Sequence, residues 1–520
     1  MFHSLYRQVS GSMGKLVVTL LLCVAGFQVS ASVVTINGKA EGYSGRKVTV
    51  FAVEDYLSQK RSVLATTEVS SEGSFSLLFE LSSTGEIILS IQRVEAILYA
   101  EPGRQYDVMF PQLAKDIARK FDRTRVELSF ENLPQDDLNI QVRNFNADYT
   151  AFISEHYFDF ALNEYHGSDS YLKSIGDKVN ESDLYTKAPD KDSTQKKVES
   201  VAFAAVVREF VGAIHEKYDT ENAKPFFRDF VRYSLAELEL LAGKNRIEFY
   251  RDYFMSQRVQ YNHPAYMSCF NSFYHHYLTN RSKEQQAVIM RAINAERDAS
   301  QISKLLESDS TALGQDVRSL CIIKGLNELY FDKAYTRYSV ERSLDNFSPE
   351  NKELKKVAEN VYFNMKKCKE GWKLNDFTLA DEGGDKWTLS EHLDGPTYLV
   401  FFATWSSSSL KELQVLQNLY EKYGKQILFV AVCMDDDYAS FHQYIDKHRE
   451  QKFRFVYGAG DPLLSYNCDV RTIPHAILLD SDGKIMYSTT RKPSEGIQLD
   501  LEKLIAGMPV AKQGPKTWKD

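Results

Sequence analysis

Cysteine is scarce in this sequence. There are six in 520 residues, and no two of them have Cys-x-x-Cys spacing. Without the N-terminal segment that carries Cys23, five widely spaced cysteines remain, which predict neither a dense disulfide framework nor a zinc ribbon. We interpret most of them as buried apolar side chains. They are Cys269, Cys321, Cys368, Cys433 and Cys468.

Charge of one sign is not concentrated anywhere either. The formal net charge of -8 arises from acidic and basic residues mixed along the chain, without a basic stripe or an acidic tail. Because binding to phosphates needs such a stripe, no nucleic-acid partner is predicted. After residue 31 the sequence also lacks an apolar run of the roughly 20 residues that span a bilayer. No membrane span is therefore predicted in the mature chain.

Motifs for nucleotides and metal ions are missing too. The sequence contains no G-x-x-x-x-G-K-[ST] loop and no dinucleotide fingerprint followed by its acidic residue. His215-Glu216 lacks the second histidine of a zinc-protease helix. The run Asp435-Asp436-Asp437 lacks the spacing of a calcium loop and is interpreted as a solvated helix cap. No cofactor and no metal site is predicted.

Residues 1–31 are predicted to be a signal peptide. A short basic region precedes the apolar run 16–27, and Ala31 ends a small-residue pattern of the kind that signal peptidases cleave. The chain is therefore expected in the periplasm or otherwise outside the cytoplasm. Lipid attachment at Cys23 is disfavoured because the bulky Leu22 precedes it, and an uncleaved anchor is the further alternative.

Residues 32–112 alternate apolar and polar side chains with the period of two that predicts β-strands. Runs such as 47–53 and 74–79 are separated by turns that contain glycine, among them Asn37-Gly38 and Pro102-Gly103. This pattern predicts an antiparallel β-sandwich of about seven strands. It resembles the N-terminal β-domains of exported thioredoxin-like proteins from Bacteroides-type bacteria.

Residues 113–370 change to the 3.6-residue period of helices. Asp137 is predicted to cap a helix that begins at Leu138. The polar stretch 167–195 is predicted to be a flexible excursion. We interpret the region as mainly α-helical, with a packed interior rich in Tyr and Phe. Its apolar stripes include Val207, Phe210, Val211 and Ile214, then Phe226, Phe227, Phe230 and Val231, then Leu320, Ile323, Leu326 and Leu329.

Residues 371–510 alternate strands with helices, and residues 511–520 form a tail. Continuous apolar runs at 398–402 and 427–432 predict strands that are buried on both faces. An α/β layer structure follows, so the whole chain is predicted to be a multidomain α+β protein. The other predicted elements are helices over 410–423, 437–448 and 498–505 and a hairpin with its turn at 481–483.

Five segments of this last region occur in a characteristic order. The order resembles that of the exported TlpA-type (AhpC/TSA-redoxin-like) thioredoxin-like family and covers about residues 371–508. The resemblance implies a C-terminal thioredoxin-like domain, and it places the two cysteines of the family's Cys-x-x-Cys on Ser406 and Ser409. The segments are FTL at 377–379, WTLS at 387–390, FFATW at 401–405, TIP at 472–474 and AILLDSDGK at 476–484.

Serine at these two positions removes the usual chemistry. Thiol–disulfide exchange needs a thiolate, and a serine hydroxyl has no disulfide state. Serine oxygens do cap helices, because they accept from the unpaired N–H groups of the first turn. We therefore expect no catalytic residue here, only a degenerate site. Ser408 and Lys411 also form an S-x-x-K pattern, but without an oriented base serine hydrolysis is not favoured.

Further implications come from the resemblance. The bond between Ile473 and Pro474 should be cis, next to a groove that accepts an extended polypeptide by strand addition. The predicted binding residues are Trp405, Ser406, Ser409, Tyr466, Ile473 and Pro474. A purely structural role for the proline is an equal alternative. Val400 replaces the buried acid of ordinary thioredoxins. Glu412 matches an acid that some TlpA-type proteins place near their cysteines, but a surface ion-pair role is favoured for it.

The sequence thus predicts an exported envelope protein whose thioredoxin surface binds a polypeptide or acts as a scaffold without redox chemistry. The expected partner is an extended polypeptide or another envelope protein. One alternative is a thiol-disulfide oxidoreductase or peroxidase that uses Cys433 or Cys468, if either is exposed and acidified. Another places the function in the helical region, with the thioredoxin-like domain as packing.

Overall fold

The computed structural model describes residues 31–112, 123–157, 193–219 and 223–507. The predicted signal peptide before Ala31, most of the excursion at 167–195 and the tail at 511–520 lie outside these residues. No helix within the described ranges combines the length and apolarity needed to cross a membrane. The predicted fold class is confirmed, with two β-sheets followed by a helical region and a C-terminal α/β domain.

The N-terminal strands form two facing mixed sheets. Their orders are β4-β1-β7-β9 and β3-β2-β5-β6-β8, and each sheet contains one parallel pair, β1 with β7 and β6 with β8. In β4, Phe75, Leu77 and Phe79 are buried while their neighbours are exposed, as the period of two predicts. The strands are β1 (Ser32–Lys39), β2 (Lys47–Val53), β3 (Arg61–Glu68), β4 (Ser74–Leu81), β5 (Gly85–Ile91), β6 (Val94–Ala100), β7 (Gln105–Met109), β8 (Thr124–Val126) and β9 (Ser129–Phe130). The last two strands lie beyond residue 112.

The helical region buries the stripes that its period predicts. Val207, Val211 and Ile214 are buried on one helix, and Asp137 caps another by accepting from the N–H of Asn139. The helices are α1 (Leu138–Glu155), α2 (Ser193–Tyr218), α3 (Pro225–Leu241), α4 (Arg246–Tyr253), α5 (Pro264–Phe273), α6 (Lys283–Arg291), α7 (Ser300–Leu306), α8 (Gln315–Leu329), α9 (Arg337–Asn346) and α10 (Lys352–Lys366), with a π-helical turn at Ala292–Glu296.

Asn360 of α10 joins the helical region to the sandwich. Its amide donates to the carboxylates of Asp55 at 2.9 Å and Glu54 at 3.2 Å, and its oxygen accepts from the Lys60 ammonium at 2.9 Å. These partners lie in the loop between β2 and β3. Asn360 is only 3% exposed and falls among the buried apolar residues of its helix, so this amide is a bonded polar group within an interface.

Asn364, one helical turn later, bonds two domains at once. Its amide donates to the carbonyl of Ser58 in the sandwich at 2.7 Å, and its oxygen accepts from the hydroxyl of Tyr466 in the C-terminal domain. One face of α10 is therefore the junction of all three parts of the chain. A polar residue within an apolar stripe is the sequence signal that could have predicted this junction.

The C-terminal domain is a six-stranded sheet of order β11-β10-β14-β13-β12-β15 with an apolar core on each face. Every residue of β12 is buried, as its continuous apolar run predicts. The predicted hairpin turn exists, with Gly483 at φ +77°, but its second strand is reduced to an isolated bridge between Leu479 and Ile485. The elements are β10 (Thr378–Asp381), β11 (Lys386–Thr388), β12 (Thr397–Phe402), α11 (Ser407–Tyr423), β13 (Leu428–Cys433), α12 (Tyr438–Lys447), β14 (Arg454–Tyr457), α13 (Leu464–Asn467), β15 (His475–Leu479) and α14 (Gln498–Ala506), with 3-10 turns at Leu389–His392, Gly458–Gly460 and Pro493–Glu495.

Candidate functional site

Three segments of the C-terminal domain meet at one edge of its sheet. Strands β12 and β13 run parallel, with Phe402 opposite Cys433. Strand β15 runs antiparallel to β12, with His475 opposite Phe401. The residues that follow β12 and β13 and those that precede β15 therefore share an edge, which we call the site edge. It comprises residues 403–409, 434–437 and 472–474.

Ser406 and Ser409 begin helix α11. Ser406 is the N-cap, and its Oγ accepts from the backbone N–H of Ser409 at 3.3 Å and from the Ser409 hydroxyl at 3.0 Å. The Ser408 hydroxyl lies 3.0 Å from the same oxygen. Lys411 is exposed. In the described chain, the hydrogen-bond partners of the Ser406 hydroxyl are the hydroxyls of Ser408 and Ser409 and the backbone N–H of Ser409, none of which is a base that could activate it as a nucleophile.

Asp435 holds the backbone just before Trp405. Its carboxylate oxygens accept from the N–H of Thr404 at 2.9 and 3.2 Å, and the residue is only 2% exposed. Burial raises the pKa of this carboxyl above its ordinary value. The prediction of a solvated acidic run is therefore wrong for Asp435, although Asp437 does cap α12 by accepting from two backbone N–H groups. Sequence reasoning missed this positioning residue.

Trp405 itself stands out from the site edge. It is 38% exposed, in contrast to the fully buried Ala403 two residues earlier. Because Asp435 bonds the backbone N–H of Thr404, the loop that carries the exposed Trp405 indole is fixed in position. An exposed aromatic ring on a fixed backbone is suited to packing against a partner.

The sandwich reaches the site edge through the turn between β5 and β6. Arg93 forms an ion pair with Asp436 and donates to the carbonyl of Met434 at 3.5 Å, while the Gln92 amide donates to the carbonyl of Asp436. Burial raises the pKa of Asp436, and the adjacent Arg93 partly offsets that rise. The acidic side of the site edge is thus covered by the N-terminal domain.

The segment before β15 forms the opposite side. The Ile473–Pro474 peptide bond is cis. Ile473 packs against the core, whereas Thr472 is exposed. In the described part of the chain, neither Thr472 nor Ile473 bonds another backbone group through its N–H or its C=O. Those groups are the hydrogen-bonding positions that an added strand would use.

Tyr466 lies at the domain junction rather than in an open groove. Its hydroxyl bonds Asn364, its ring faces Phe363, and the Lys367 ammonium lies 3.7 Å from the ring centroid. Burial raises its pKa to about 12. Of the predicted binding residues, the structure therefore brings Trp405, both serines, Ile473 and Pro474 to the site edge and leaves Tyr466 beside it.

The cysteines offer little to redox chemistry. Cys433 and Cys468 are fully buried, and burial raises the pKa of both thiols well above the ordinary value. Neither meets the condition of exposure and acidity that the oxidoreductase alternative requires. Cys368 is the more accessible thiol. It lines a cavity of about 50 Å³ and its Sγ lies 3.4 Å from the Asn467 carbonyl oxygen, but burial raises its pKa to about 12.

Glu412 is not the surface ion-pair residue that we predicted. Its side chain is buried, and its two oxygens accept from the backbone N–H of Ser494 at 2.8 Å and from the Ser494 hydroxyl at 2.6 Å. The turn at Pro493–Glu495 folds over α11 and covers the carboxylate. Glu412 therefore fixes the chain before α14, and no contact of it reaches the two serines.

We expect the buried Asp435 to make stability depend on pH. Its folded-state pKa exceeds the ordinary value of 3.8, so folding favours the protonated form, and this contribution is lost as pH rises through the folded pKa. Asp435→Asn keeps an oxygen for Thr404 but does not titrate. Its free energy of unfolding relative to the natural chain should therefore rise between pH 4 and 7, as measured by urea unfolding. Parallel pH profiles would contradict this assignment.

Comparison with known proteins agrees with this geometry. A sequence profile described as thioredoxin-like matches residues 394–485. A thiol-disulfide oxidoreductase ResA of Bacillus cereus is 24% identical over 131 residues, which are 25% of this chain and 75% of that relative. ResA of Bacillus anthracis is 23% identical with the same coverage of both chains.

Solved structures are similar to about the same share of the chain. A thiol-disulfide oxidoreductase from Bacteroides fragilis NCTC 9343 is 22% identical, with a TM-score of 0.23, and covers 26% of this chain and 99% of its own. A thiol:disulfide interchange protein from Bacteroides sp. is 21% identical, with a TM-score of 0.25, and covers 28% of this chain and 95% of its own. By its sequence matches, the C-terminal domain is thioredoxin-like and related to ResA-type oxidoreductases.

Proposed function

We propose that the thioredoxin-like domain binds an extended polypeptide without exchanging electrons with it. The observation that carries this proposal is the helix start at the site edge, where Ser406 and Ser409 form an oxygen cap at the positions that the family resemblance assigns to its cysteines. Such a cap keeps the helix in place while it supplies no thiolate. In this proposal the domain keeps the polypeptide-binding surface of a thioredoxin-like oxidoreductase but does not carry out thiol–disulfide exchange.

The other thiols do not replace the missing pair. Cys433 and Cys468 are buried, and the raised pKa of Cys368 leaves very little thiolate at neutral pH. The nucleophile needed for attack on a disulfide is therefore scarce throughout the described chain. This favours binding over the oxidoreductase or peroxidase alternative.

Binding is supported by the groups that the site edge presents. Trp405 offers exposed aromatic surface, and the backbone of Thr472 and Ile473 has open hydrogen-bonding positions. An extended chain could pair with that backbone as an added strand while a side chain packs on the indole. The sandwich and α10 fix the surroundings of the site edge, as a scaffold role requires.

We also propose that the protein acts outside the cytoplasm. This proposal depends on the sequence of residues 1–31, with its basic start, apolar run and small residues before the expected cleavage after Ala31. N-terminal sequencing of the protein isolated from its own cells tests it. A mature chain that begins at Ser32 would support export, whereas an intact Met1 in the cytoplasmic fraction would contradict it.

The functional proposal predicts a separation of two activities. The purified chain should not accelerate insulin reduction by dithiothreitol above the uncatalysed rate, yet it should bind a reduced, carboxymethylated polypeptide. Fluorescence anisotropy of the labelled polypeptide measures the binding. The matched variant Trp405→Ala should weaken it by about fivefold or more, since a central aromatic contact is lost.

Two results would count against the proposal. Reduction of insulin that disappears after alkylation of the protein would restore the oxidoreductase alternative. Anisotropy that is unchanged at any protein concentration would remove the binding function. The second outcome would favour a role for the domain in packing alone.

A further inference from the structure

The two sides of the site edge differ in charge. On one side lie the carboxylates of Asp435 and Asp436, which are buried or paired with Arg93 of the sandwich. On the other side, the segment that leads to Pro474 is bordered by basic side chains from three domains. Arg471 directly precedes Thr472, so a partner that pairs with the backbone of Thr472 lies beside a positive charge.

Lys367 is the innermost of these cations. Its neighbours Lys366 and Lys369 both form ion pairs with Glu341, whereas Lys367 points at the ring of Tyr466. Among the described residues no carboxylate lies within ion-pairing distance of it, and burial lowers its pKa. Asp469, which already pairs with Arg471, is an acid whose charge acts on Lys367. A partly buried ammonium that shares its acid with a second cation attracts a further anion from outside the chain.

Arg471 lies three residues before Pro474 and is 80% exposed. It pairs with Asp469 at 3.1 Å through one nitrogen, so the rest of its guanidinium is open to solvent. An exposed pair of this kind is weak and exchanges readily with a competing carboxylate. Arg471 is next to Thr472, whose backbone is unpaired. A polypeptide that pairs with the Thr472 backbone could therefore also place one of its carboxylates at Arg471.

The sandwich adds two further cations, Arg61 and Arg123. Arg61 and Arg123 share a single carboxylate, that of Glu95, at 2.6 and 3.2 Å. Positive charge from Arg123 and Arg471 contributes to the lowered pKa of Lys367, which places the three cations in one electrostatic neighbourhood. We call this set the basic rim: Lys367, Arg471, Arg123 and Arg61.

Nearby acids do not cancel the basic rim. Its four cations face Asp469, Glu95 and Glu86, the last of which interacts with Arg61, and this leaves one positive charge in excess. Glu54 also lies near Tyr466 but pairs with Lys60 and Lys356. Asp55 is fully buried and bonded by Ser58 and Asn360. The positive surface is unusual in a chain with a net charge of -8.

We propose that the site edge selects an extended polypeptide with acidic side chains, which pair with Arg471 and Lys367 while its backbone pairs with Thr472 and Ile473. This proposal rests on the proposed binding function and names the class of its partner. Acidic groups at the rim add charge-assisted hydrogen bonds and raise the association rate. Neutral or basic segments gain neither.

The test compares three labelled peptides of equal length with the same apolar residues, in which the polar positions are Glu, Gln or Lys. Binding to the mature full-length chain is measured by fluorescence anisotropy at low salt and at physiological salt. We expect the Glu peptide to bind about fivefold more tightly than the Gln peptide at low salt, and this difference to shrink as salt rises. The Lys peptide should bind most weakly.

Variants of the basic rim test whether its cations cause the preference for the Glu peptide. Arg471→Gln, alone and combined with Lys367→Gln, should abolish the difference in affinity between the Glu and Gln peptides. Arg449→Gln is the matched control, because Arg449 is similarly exposed and pairs with Asp446 at 2.9 Å at the C-terminal end of α12, the end opposite to the site edge. Since Arg471 is exposed, its variant will fold, and circular dichroism verifies this for both variants.

Each outcome has a distinct meaning. Equal binding of the Glu and Gln peptides would overturn the charge preference while the proposed binding function stands. If none of the peptides binds, both proposals fail together. Displacement of the Glu peptide by oligothymidylate at equal concentration would show that the rim attracts polyanions in general, and it would overturn selection of a polypeptide.

Discussion

The double variant Ser406→Cys with Ser409→Cys should form a disulfide in oxidised glutathione and should reduce insulin at least about tenfold faster than the natural chain. The two hydroxyl oxygens lie 3.0 Å apart at the helix start. Sulfur atoms on the same carbons can reach the S–S distance of about 2.05 Å with small side-chain rotations. The helix N-terminus would then lower the pKa of the first thiol, as exchange requires.

Mass spectrometry measures the first step as a loss of two hydrogens, and the insulin assay measures the second. The control is Ser407→Cys with Ser408→Cys, because these exposed neighbours project from the helix in different directions. It should form no intramolecular disulfide. If the 406/409 variant also stays reduced in oxidant, the correspondence of these serines with the family's cysteines is wrong, and the proposed function loses its main support.

Gain of activity in that variant would also support the proposal that the two serines are what keeps the natural chain from thiol–disulfide exchange. The site edge already holds Trp405 on a fixed backbone and Ile473 before a cis proline. If two sulfur atoms are enough to restore exchange, nothing else in the domain has been lost. A disulfide that forms without insulin reduction would instead indicate that the sandwich, through Arg93, hinders access of a folded substrate.

The fold of the C-terminal domain could be predicted because its signals are local. Continuous apolar runs give the buried strands β12 and β13, and a serine before a helical stripe gives a cap. The parallel pairing of β1 with β7 could not be predicted in this way. The period of two identifies a strand but not its partner. Pairing between strands about seventy residues apart depends on how the whole domain packs.

The site could be predicted only in part, for a related reason. Ser406 and Pro474 are recognisable from short motifs, but Asp435 and Glu412 resemble surface residues because each is a charged residue next to another charged residue, Asp436 and Lys411. Their burial is produced by segments remote in sequence, the backbone at Thr404 and the turn that contains Ser494. A carboxylate can be buried when an N–H group that is distant in sequence donates a hydrogen bond to it, and the residues next to the carboxylate do not indicate this bond.

The junction on α10 is where the loss of one amide should have the largest effect on stability. Asn360→Leu removes the group that bonds Asp55, Glu54 and Lys60, and it leaves three charged side chains without that partner inside an interface. Loss of such buried bonds costs about 2 kcal/mol, which corresponds to an increase of about 30-fold in the opening equilibrium of the β2–β3 loop. Native-state hydrogen exchange followed by mass spectrometry measures this opening through the amides of residues 54–60.

The comparison variant is Asn418→Leu. Asn418 is an exposed asparagine within helix α11, so this variant makes the same change of side chain at a position outside the interface. In this variant, hydrogen exchange of the amides of residues 54–60 should match that of the natural chain. Since Asn364 bonds the same loop one turn away and also bonds Tyr466, faster exchange in Asn360→Leu should extend to residues 464–470. Faster exchange confined to the loop would mean that α10 holds each domain separately, and unchanged exchange at both places would mean that packing, rather than these amides, joins the three domains.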